Sequence, residues 1–215
     1  MSNFAAQRLN MVEGQVRAND VTDRRIQDAM REVPREHFVP SHLINVAYAD
    51  HCLEIIPGRH ILDPRCFAKL LQLASIGGGD HVLDVGCATG YSAAVMARLA
   101  SDVVALEEDE ELVSTAAKRL EKIENLQIAQ GRLSSGFHQA APYDVILVNG
   151  ALELRPDSLI DQLADGGRLV AVIRNAKRGR AYLFLNNGDA LSERPAFEAQ
   201  VPVLTGFEKA AGFVF

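Results

Sequence analysis

Apolar positions along this chain follow two periods that trade places. From Thr22 the residues Ile26, Ala29, Met30 and Val33 recur at helical spacing. Pro34 stops that run, because the residue before a proline is pushed out of the helical region. A second helix is predicted from Asp63-Pro64, a capping side chain followed by a proline suited to the first helical position. Its apolar face reads Phe67, Leu70, Leu71 and Ala74, and the glycines at 77–79 are expected to end it.

The pattern then alternates. Apolar runs at 81–85 and 103–106 flank a helical stretch at 91–99, and Leu112, Ala116 and Leu120 mark the next helix. Strands are predicted at 126–129 and 143–148, a helix around 159–163, a turn at Asp165-Gly166-Gly167 and a strand at 168–173. This rhythm predicts an α/β fold with a doubly wound, mostly parallel sheet covered on both faces. Beyond it, residues 181–185, the turn 186–189 and the runs 201–204 and 211–215 predict antiparallel edge strands. The organisation expected is a single domain: a helical N-terminal region (1–78), a central core (79–175) and a β-rich end (176–215).

With 215 residues, 48% hydrophobic and 23% charged, the chain has the composition of an ordinary globular domain. A net charge of -6 opposes binding of nucleic acid through phosphate neutralisation, and the basic run 174–180 reads as a solvated turn. Cys52, Cys66 and Cys87 are odd in number and not closely paired, so neither a disulfide framework nor a metal site is expected, and a reducing cytoplasm fits. The N-terminal residues Asn3, Gln7, Arg8 and Asn10 do not form an apolar leader. No segment approaches the roughly 20 apolar residues of a membrane span. No apolar helix is left over beyond those the sheet needs, which favours a monomer.

Candidate chemistry concentrates at the first strand-to-helix turn of the sheet, Gly86-Cys87-Ala88-Thr89-Gly90. In open α/β sheets, ligands bind beyond the carboxyl ends of the strands at such a turn. A dinucleotide loop needs glycines spaced G-x-G-x-x-G so that the backbone can approach a pyrophosphate. Here Ala88 and Tyr91 stand at the second and third glycine places, which suits S-adenosylmethionine, a cofactor without a pyrophosphate. An acid about 20 residues further on should accept the ribose hydroxyls. Glu107 ends the next apolar run, followed by Glu108, and Asp84 precedes the loop.

Beyond the loop, the chain resembles the protein-L-isoaspartate O-methyltransferase family. The likeness rests on Val33-Pro34-Arg35-Glu36-His37-Phe38-Val39, Ala47-Tyr48-Ala49-Asp50, residues 82–91, Ala141-Pro142-Tyr143-Asp144-Val145-Ile146-Leu147-Val148, and the segment 159–163 leading into Gly166-Gly167-Arg168-Leu169. It implies a Rossmann-like class I methyltransferase that uses S-adenosyl-L-methionine, releases S-adenosyl-L-homocysteine, and methylates isoaspartyl carboxylates in damaged proteins or peptides. Asp84, Gly86, Cys87, Gly90, Tyr91, Glu107, Glu108, Arg132 and Leu133 become the expected cofactor contacts. A carboxylate acceptor is already ionised at neutral pH, so no general base is required.

Two positions depart from the family pattern. The acceptor loop Thr-Ile-Ser-x-Pro is here His60-Ile61-Leu62-Asp63-Pro64, which makes His60, Leu62 and Asp63 the acceptor candidates. Leu62 removes a hydroxyl. Asp63 is expected to act as a helix cap, whereas a protonated His60 would attract a carboxylate. Where the family has an adenine-contacting acid, this chain has Arg132, which can only donate. These departures keep two alternatives open: a methyltransferase of the same fold with a small-molecule acceptor, and a non-catalytic protein with Arg132 in the adenine pocket.

Overall fold

The computed structural model describes residues 3–176, 178–188 and 190–209. Its centre is a seven-stranded sheet of order β5-β4-β3-β6-β7-β8-β9. The strands are β3 (His81–Val85), β4 (Asp102–Glu107), β5 (Leu126–Gln130), β6 (Tyr143–Leu152), β7 (Leu163–Asn175), β8 (Arg178–Asn186) and β9 (Leu191–Glu198). β3 to β7 pair in parallel, while β8 and β9 add antiparallel strands at one edge. The mostly parallel, doubly wound sheet expected from the alternation is therefore the fold. Its order reverses at β3, with β4 on one side and β6 on the other.

Successive strand residues point to opposite faces, and the core divides accordingly. On one face Val82, Val103, Ala105, Val145, Leu147 and Val170 meet α2 (Arg24–Glu32), α3 (Pro64–Ala74), α4 (Tyr91–Met96) and α5 (Glu110–Leu120), together with α1 (Phe4–Met11) and its continuation. On the other, Leu83, Val104, Leu106, Ile146 and Leu169 lie under Leu133, Leu204, Phe207 and the short α6 (Asp157–Ile160). Helices crowd one face; turns and the C-terminal segment close the other.

Several boundaries differ from those the pattern predicts. α2 begins at Arg24, two residues after Thr22, with Asp23 as its cap, the carboxylate accepting from the Arg25 amide. α3 closes at Ser75 in the left-handed conformation (φ 51), two residues before the glycines. Leu163 and the Asp165-Gly166-Gly167 turn belong to β7 rather than to a helix or free loop. Residues 201–204 form no antiparallel strand; Val203 makes a single parallel bridge to Ala151. The antiparallel edge is instead β9, and the strand predicted at 211–215, like Asp189 of the predicted turn, lies outside the described residues. A separate two-stranded hairpin, β1 (Leu53–Ile56) and β2 (Arg59–Ile61), stands beside the carboxyl ends of the sheet.

Candidate active site

The loop after β3 turns through left-handed backbone at Gly86 (φ 79), Ala88 (φ 50) and Gly90 (φ 100). A Cβ on Gly90 would lie 2.5 Å from Leu120 Cδ1, so glycine lets α5 pack directly over the turn. The Gly86 and Cys87 amides donate to the Leu106 carbonyl at 2.9 and 3.2 Å, and the Thr89 hydroxyl donates to the Phe38 carbonyl. These bonds fix the loop between β4 and the 35–38 segment.

Glu107 ends β4 with its side chain fully withdrawn from solvent. Its Oε1 accepts from the amides of Glu108 (2.8 Å) and Asp109 (3.2 Å), and its Oε2 from the Ala88 amide (2.9 Å). Arg59 Nη2, from β2, donates to the same Oε2 in a buried ion pair. A cavity of about 410 Å³ opens beside this carboxylate, lined by Ile56, Pro57, Glu107, Glu108, Leu133 and Thr205 among others. Arg132 is exposed and does not line that cavity; its neighbour Leu133 does. The arginine that lines this cavity is Arg59.

Beneath the loop, Asp84 is fully buried and accepts from Ser92 Oγ (2.6 Å) and from Asn149 Nδ2, within β6. Burial pushes its carboxyl up to about 7, against the pull of those two hydrogen bonds. Burial also raises the Cys87 thiol well above its ordinary value, so this cysteine is a packed small residue rather than a thiolate.

The acceptor candidates flank the same loop. Arg35 is wholly buried; its guanidinium donates to the carbonyls of Ala47 (2.7 Å) and Leu62 (2.8 Å) and sits 4.8 Å over the Tyr91 ring. This is the structural use of the Val-Pro-Arg segment: it holds the acceptor loop against the first residue of α4. His60, Leu62, Phe67, Cys87, Tyr91 and Asn149 border a cavity of about 10 Å³, room for about one water. Burial lowers the His60 imidazole, with Glu54 at 3.9 Å opposing, so a cationic anchor there depends on the charge an acceptor carboxylate would bring. Asp63 caps α3 by accepting from the Cys66 amide at 2.8 Å. Just outside, an open groove of about 690 Å³ runs past His51, Asp63, Arg65, Arg174, Val201 and Pro202.

Asp84, Gly86, Cys87, Gly90, Tyr91 and Glu107 are thus gathered around one turn, with Glu108 and Leu133 on the adjoining cavity. Pattern reading missed Arg59, Ser92 and Asn149. For Arg59 a signal existed: in a strand it alternates onto the same face as Ile61, an inward place for a charge. Among the described residues no cluster of His, Cys, Asp and Glu can hold a metal ion.

A parallel sheet whose first strand ends in a glycine turn, facing an acid at the end of the next strand, defines a class I S-adenosylmethionine-dependent methyltransferase. The residues fit that cofactor: left-handed glycines open the loop backbone to close approach, and the Glu107 carboxylate, an acceptor suited to a diol, borders the cavity. Comparison with known proteins gives the family. The family model for protein-L-isoaspartate(D-aspartate) O-methyltransferase matches residues 7–202. A protein-L-isoaspartate O-methyltransferase of Koribacter versatilis is 38% identical over 185 residues, 85% of this chain and 83% of that protein. Protein-L-isoaspartate O-methyltransferase 1 of Rhodopseudomonas palustris is 42% identical over 171 residues, 79% of this chain and 70% of that protein. A solved protein-L-isoaspartate O-methyltransferase superposes with a TM-score of 0.80 at 26% identity, covering 94% of this chain and 66% of that one. A Plasmodium falciparum structure in complex with S-adenosyl-L-homocysteine shares the fold, with a TM-score of 0.80 at 19% identity over 95% of this chain and 99% of that one. The chain belongs to the protein-L-isoaspartate(D-aspartate) O-methyltransferase family.

Proposed function

We propose that this chain methylates the carboxylate of isoaspartyl residues in damaged proteins or peptides. The observation that carries the reading is that the acceptor loop and the cofactor loop border one small cavity, His60 and Leu62 on one side and Gly86 and Cys87 on the other. S-adenosylmethionine, when bound, supplies a methyl group already activated on a sulfonium. Glu107 would hold the ribose hydroxyls, Gly86, Cys87 and Gly90 would let the loop backbone close in, and Glu108 and Leu133 would border the adenine. Asp84, through Ser92 and Asn149, fixes the floor of the loop beside Tyr91. Arg35 holds the Leu62 carbonyl and so sets the angle at which the acceptor loop meets the cofactor loop. Catalysis is then chiefly alignment of a carboxylate oxygen behind the methyl carbon.

The groove past Asp63, Arg65 and Pro202 is open enough for an extended peptide, which supports a protein substrate. A second reading, a small carboxylate acceptor, is favoured by the closed, partly apolar cavity at Leu62 and Phe67. In either case residues 1–78, 79–175 and 176–215 work as one monomeric domain, without nucleic acid or membrane as partner. The overall charge of -6 and the free state of Cys52, Cys66 and Cys87 support action in a reducing cytoplasm. Among the described residues no helix is long and apolar enough to cross a membrane.

Calorimetric titration with S-adenosylhomocysteine, followed by radiolabel transfer from S-adenosylmethionine to an isoaspartyl peptide and its normal aspartyl counterpart, tests the reading. Binding with transfer to the isoaspartyl peptide alone is expected. Binding without transfer to either peptide sinks the repair function and favours the smaller acceptor.

A further inference from the structure

We propose that Arg59 is an internal occupant of the ribose subsite, and that cofactor binding, by expelling it from Glu107, moves the acceptor loop and makes binding ordered with the cofactor first. The proposal rests on the methyltransferase reading above and concerns how its two subsites communicate.

Glu107 has no capacity to spare as the chain is folded. An ionised carboxylate offers about four lone-pair sites. Three are filled by the amides of Ala88, Glu108 and Asp109 and the fourth by Arg59 Nη2. A ribose diol has to displace one of these donors. The three amides are backbone groups of the loop and of the turn into α5, fixed by the fold. Arg59 is a flexible side chain and the only donor of the four that can leave without unfolding anything.

Its seat is also incomplete. Arg59 Nη1 is buried and has no hydrogen-bond partner among the described residues, so the guanidinium is only partly satisfied where it lies. Nη2 lies 3.4 Å from the place a Cβ on Gly86 would take, which puts the group on the cofactor loop itself. The element that carries it is slight. The β1–β2 hairpin is a two-stranded ribbon outside the main sheet, with an irregularity between Glu54 and Ile56 and a turn at Gly58 (φ 77). Leu53, Ile55 and Ile61 anchor the ribbon in the core, so the parts free to yield are its turn at Pro57-Gly58 and the Arg59 side chain.

Coupling follows from chain connectivity. Arg59 is followed directly by His60, Ile61 and Leu62, which wall the cavity of about 10 Å³ at the cofactor loop. That cavity is too small for a carboxylate while Arg59 is seated. Release of Arg59 removes one tether from β2: Leu62 stays held through its carbonyl by Arg35, while the Arg59–His60 end of the wall that the acceptor must pass can adjust. By linkage, an acceptor that favours the released hairpin tightens cofactor binding by the same factor that the cofactor tightens the acceptor.

The test is calorimetric titration of the full chain with S-adenosylhomocysteine, for the wild type, Arg59→Gln and Arg59→Lys, each with and without an isoaspartyl peptide. Removing the internal competitor should tighten S-adenosylhomocysteine about ten-fold in Arg59→Gln, because a larger fraction of molecules has the subsite free. Arg59→Lys should fall between. The peptide should tighten S-adenosylhomocysteine in the wild type, and this mutual effect should shrink in Arg59→Gln. Equal or weaker affinity in Arg59→Gln overturns the proposal, since Arg59 would then be a cofactor ligand or a bystander. If Arg59→Gln does not fold, arginine-labelled NMR on the wild type decides: a guanidinium signal absent from the Arg59→Lys spectrum should lose its hydrogen-bonded shift at saturating S-adenosylhomocysteine, and persistence of that shift overturns the proposal. Failure of the folded wild type and both variants to bind S-adenosylhomocysteine removes the methyltransferase reading and the proposal with it, an outcome distinct from loss of the latch alone.

Discussion

Arg59 and Glu107, 48 residues apart in sequence, meet in an ion pair whose side chains are 7% and 0% exposed, at the end of β4 where the ribose is proposed to bind. A charge pair so placed ties stability and ligand binding to the same two residues.

Glu107→Ala should therefore do two things. It removes the acid proposed to receive the ribose, so S-adenosylhomocysteine binding measured by calorimetry should vanish. It also frees Arg59 to swing out of its seat, so the loss in urea unfolding should stay below the about 3 to 5 kcal/mol of a buried charge trapped without its partner. Retained cofactor affinity would place the ribose elsewhere.

Gly90→Ala is expected to destabilise the fold by two separable routes. The left-handed φ of 100 at Gly90 costs any other residue about 1 to 2 kcal/mol. The new methyl would also meet Leu120 Cδ1 at 2.5 Å, adding about 1 to 3 kcal/mol of overpacking. Leu120→Ala relieves the second route and not the first, so a double-mutant cycle by urea unfolding should give a favourable coupling of about 1 to 2 kcal/mol. Strict additivity would show that α5 shifts freely away from the loop.

Asp84 carries a pH dependence whose sign is fixed by its raised carboxyl. The folded chain holds this proton up to about 7, whereas the unfolded chain releases it near the ordinary value of about 3.9. Between those limits the folded state binds more protons, so this residue's contribution to stability falls as pH rises from about 4 to about 7 and is level above. The gap corresponds to about 4 kcal/mol as an order of magnitude. Asp84→Asn keeps a carbonyl for one of its two donors and removes the titration. Its stability relative to wild type should therefore improve between pH 4 and pH 7. Parallel pH profiles for the two proteins would mean that Asp84 is ionised throughout.

What could be read from the sequence follows physical lines. β3, β4 and the loop were legible because buried parallel strands are continuous apolar runs and the acid stands where such a run ends. The Asp63 cap was legible because a capping side chain and a proline at the first helical position form a local signal. β9 was not, since its residues Ser192, Glu193, Arg194 and Pro195 are exposed and polar, as suits an edge strand protected against pairing with another chain. Arg59 carried only a faint signal, its alternation with Ile61 in a strand of three residues, too short to stand out from the loops around it. Arg132 drew attention only through its place in the family pattern, and burial assigns it no part in the cavity.

Leu62→Ser joins the acceptor question to the packing. Leu62 is 3% exposed, and its side chain closes the cavity of about 10 Å³ beside His60, Phe67 and Tyr91. Truncation should cost about 2 to 5 kcal/mol of stability, as for other buried leucines cut back to small residues, because Arg35 holds the backbone and prevents full collapse. The same truncation opens space next to the cofactor loop and supplies a hydroxyl. One hydrogen bond to a charged acceptor is worth about 1.5 to 3 kcal/mol, or about 10- to 150-fold in kcat/KM. Transfer to an isoaspartyl peptide, assayed well below the lowered Tm, should therefore rise even though the protein is less stable. A rise in transfer together with a fall in stability is the signature of a site whose apolar wall was set against the peptide acceptor. Unchanged transfer at full cofactor occupancy would show instead that Leu62 belongs to a pocket shaped for a smaller carboxylate, and a panel of small carboxylic acids assayed with the wild type would then be the place to find its substrate.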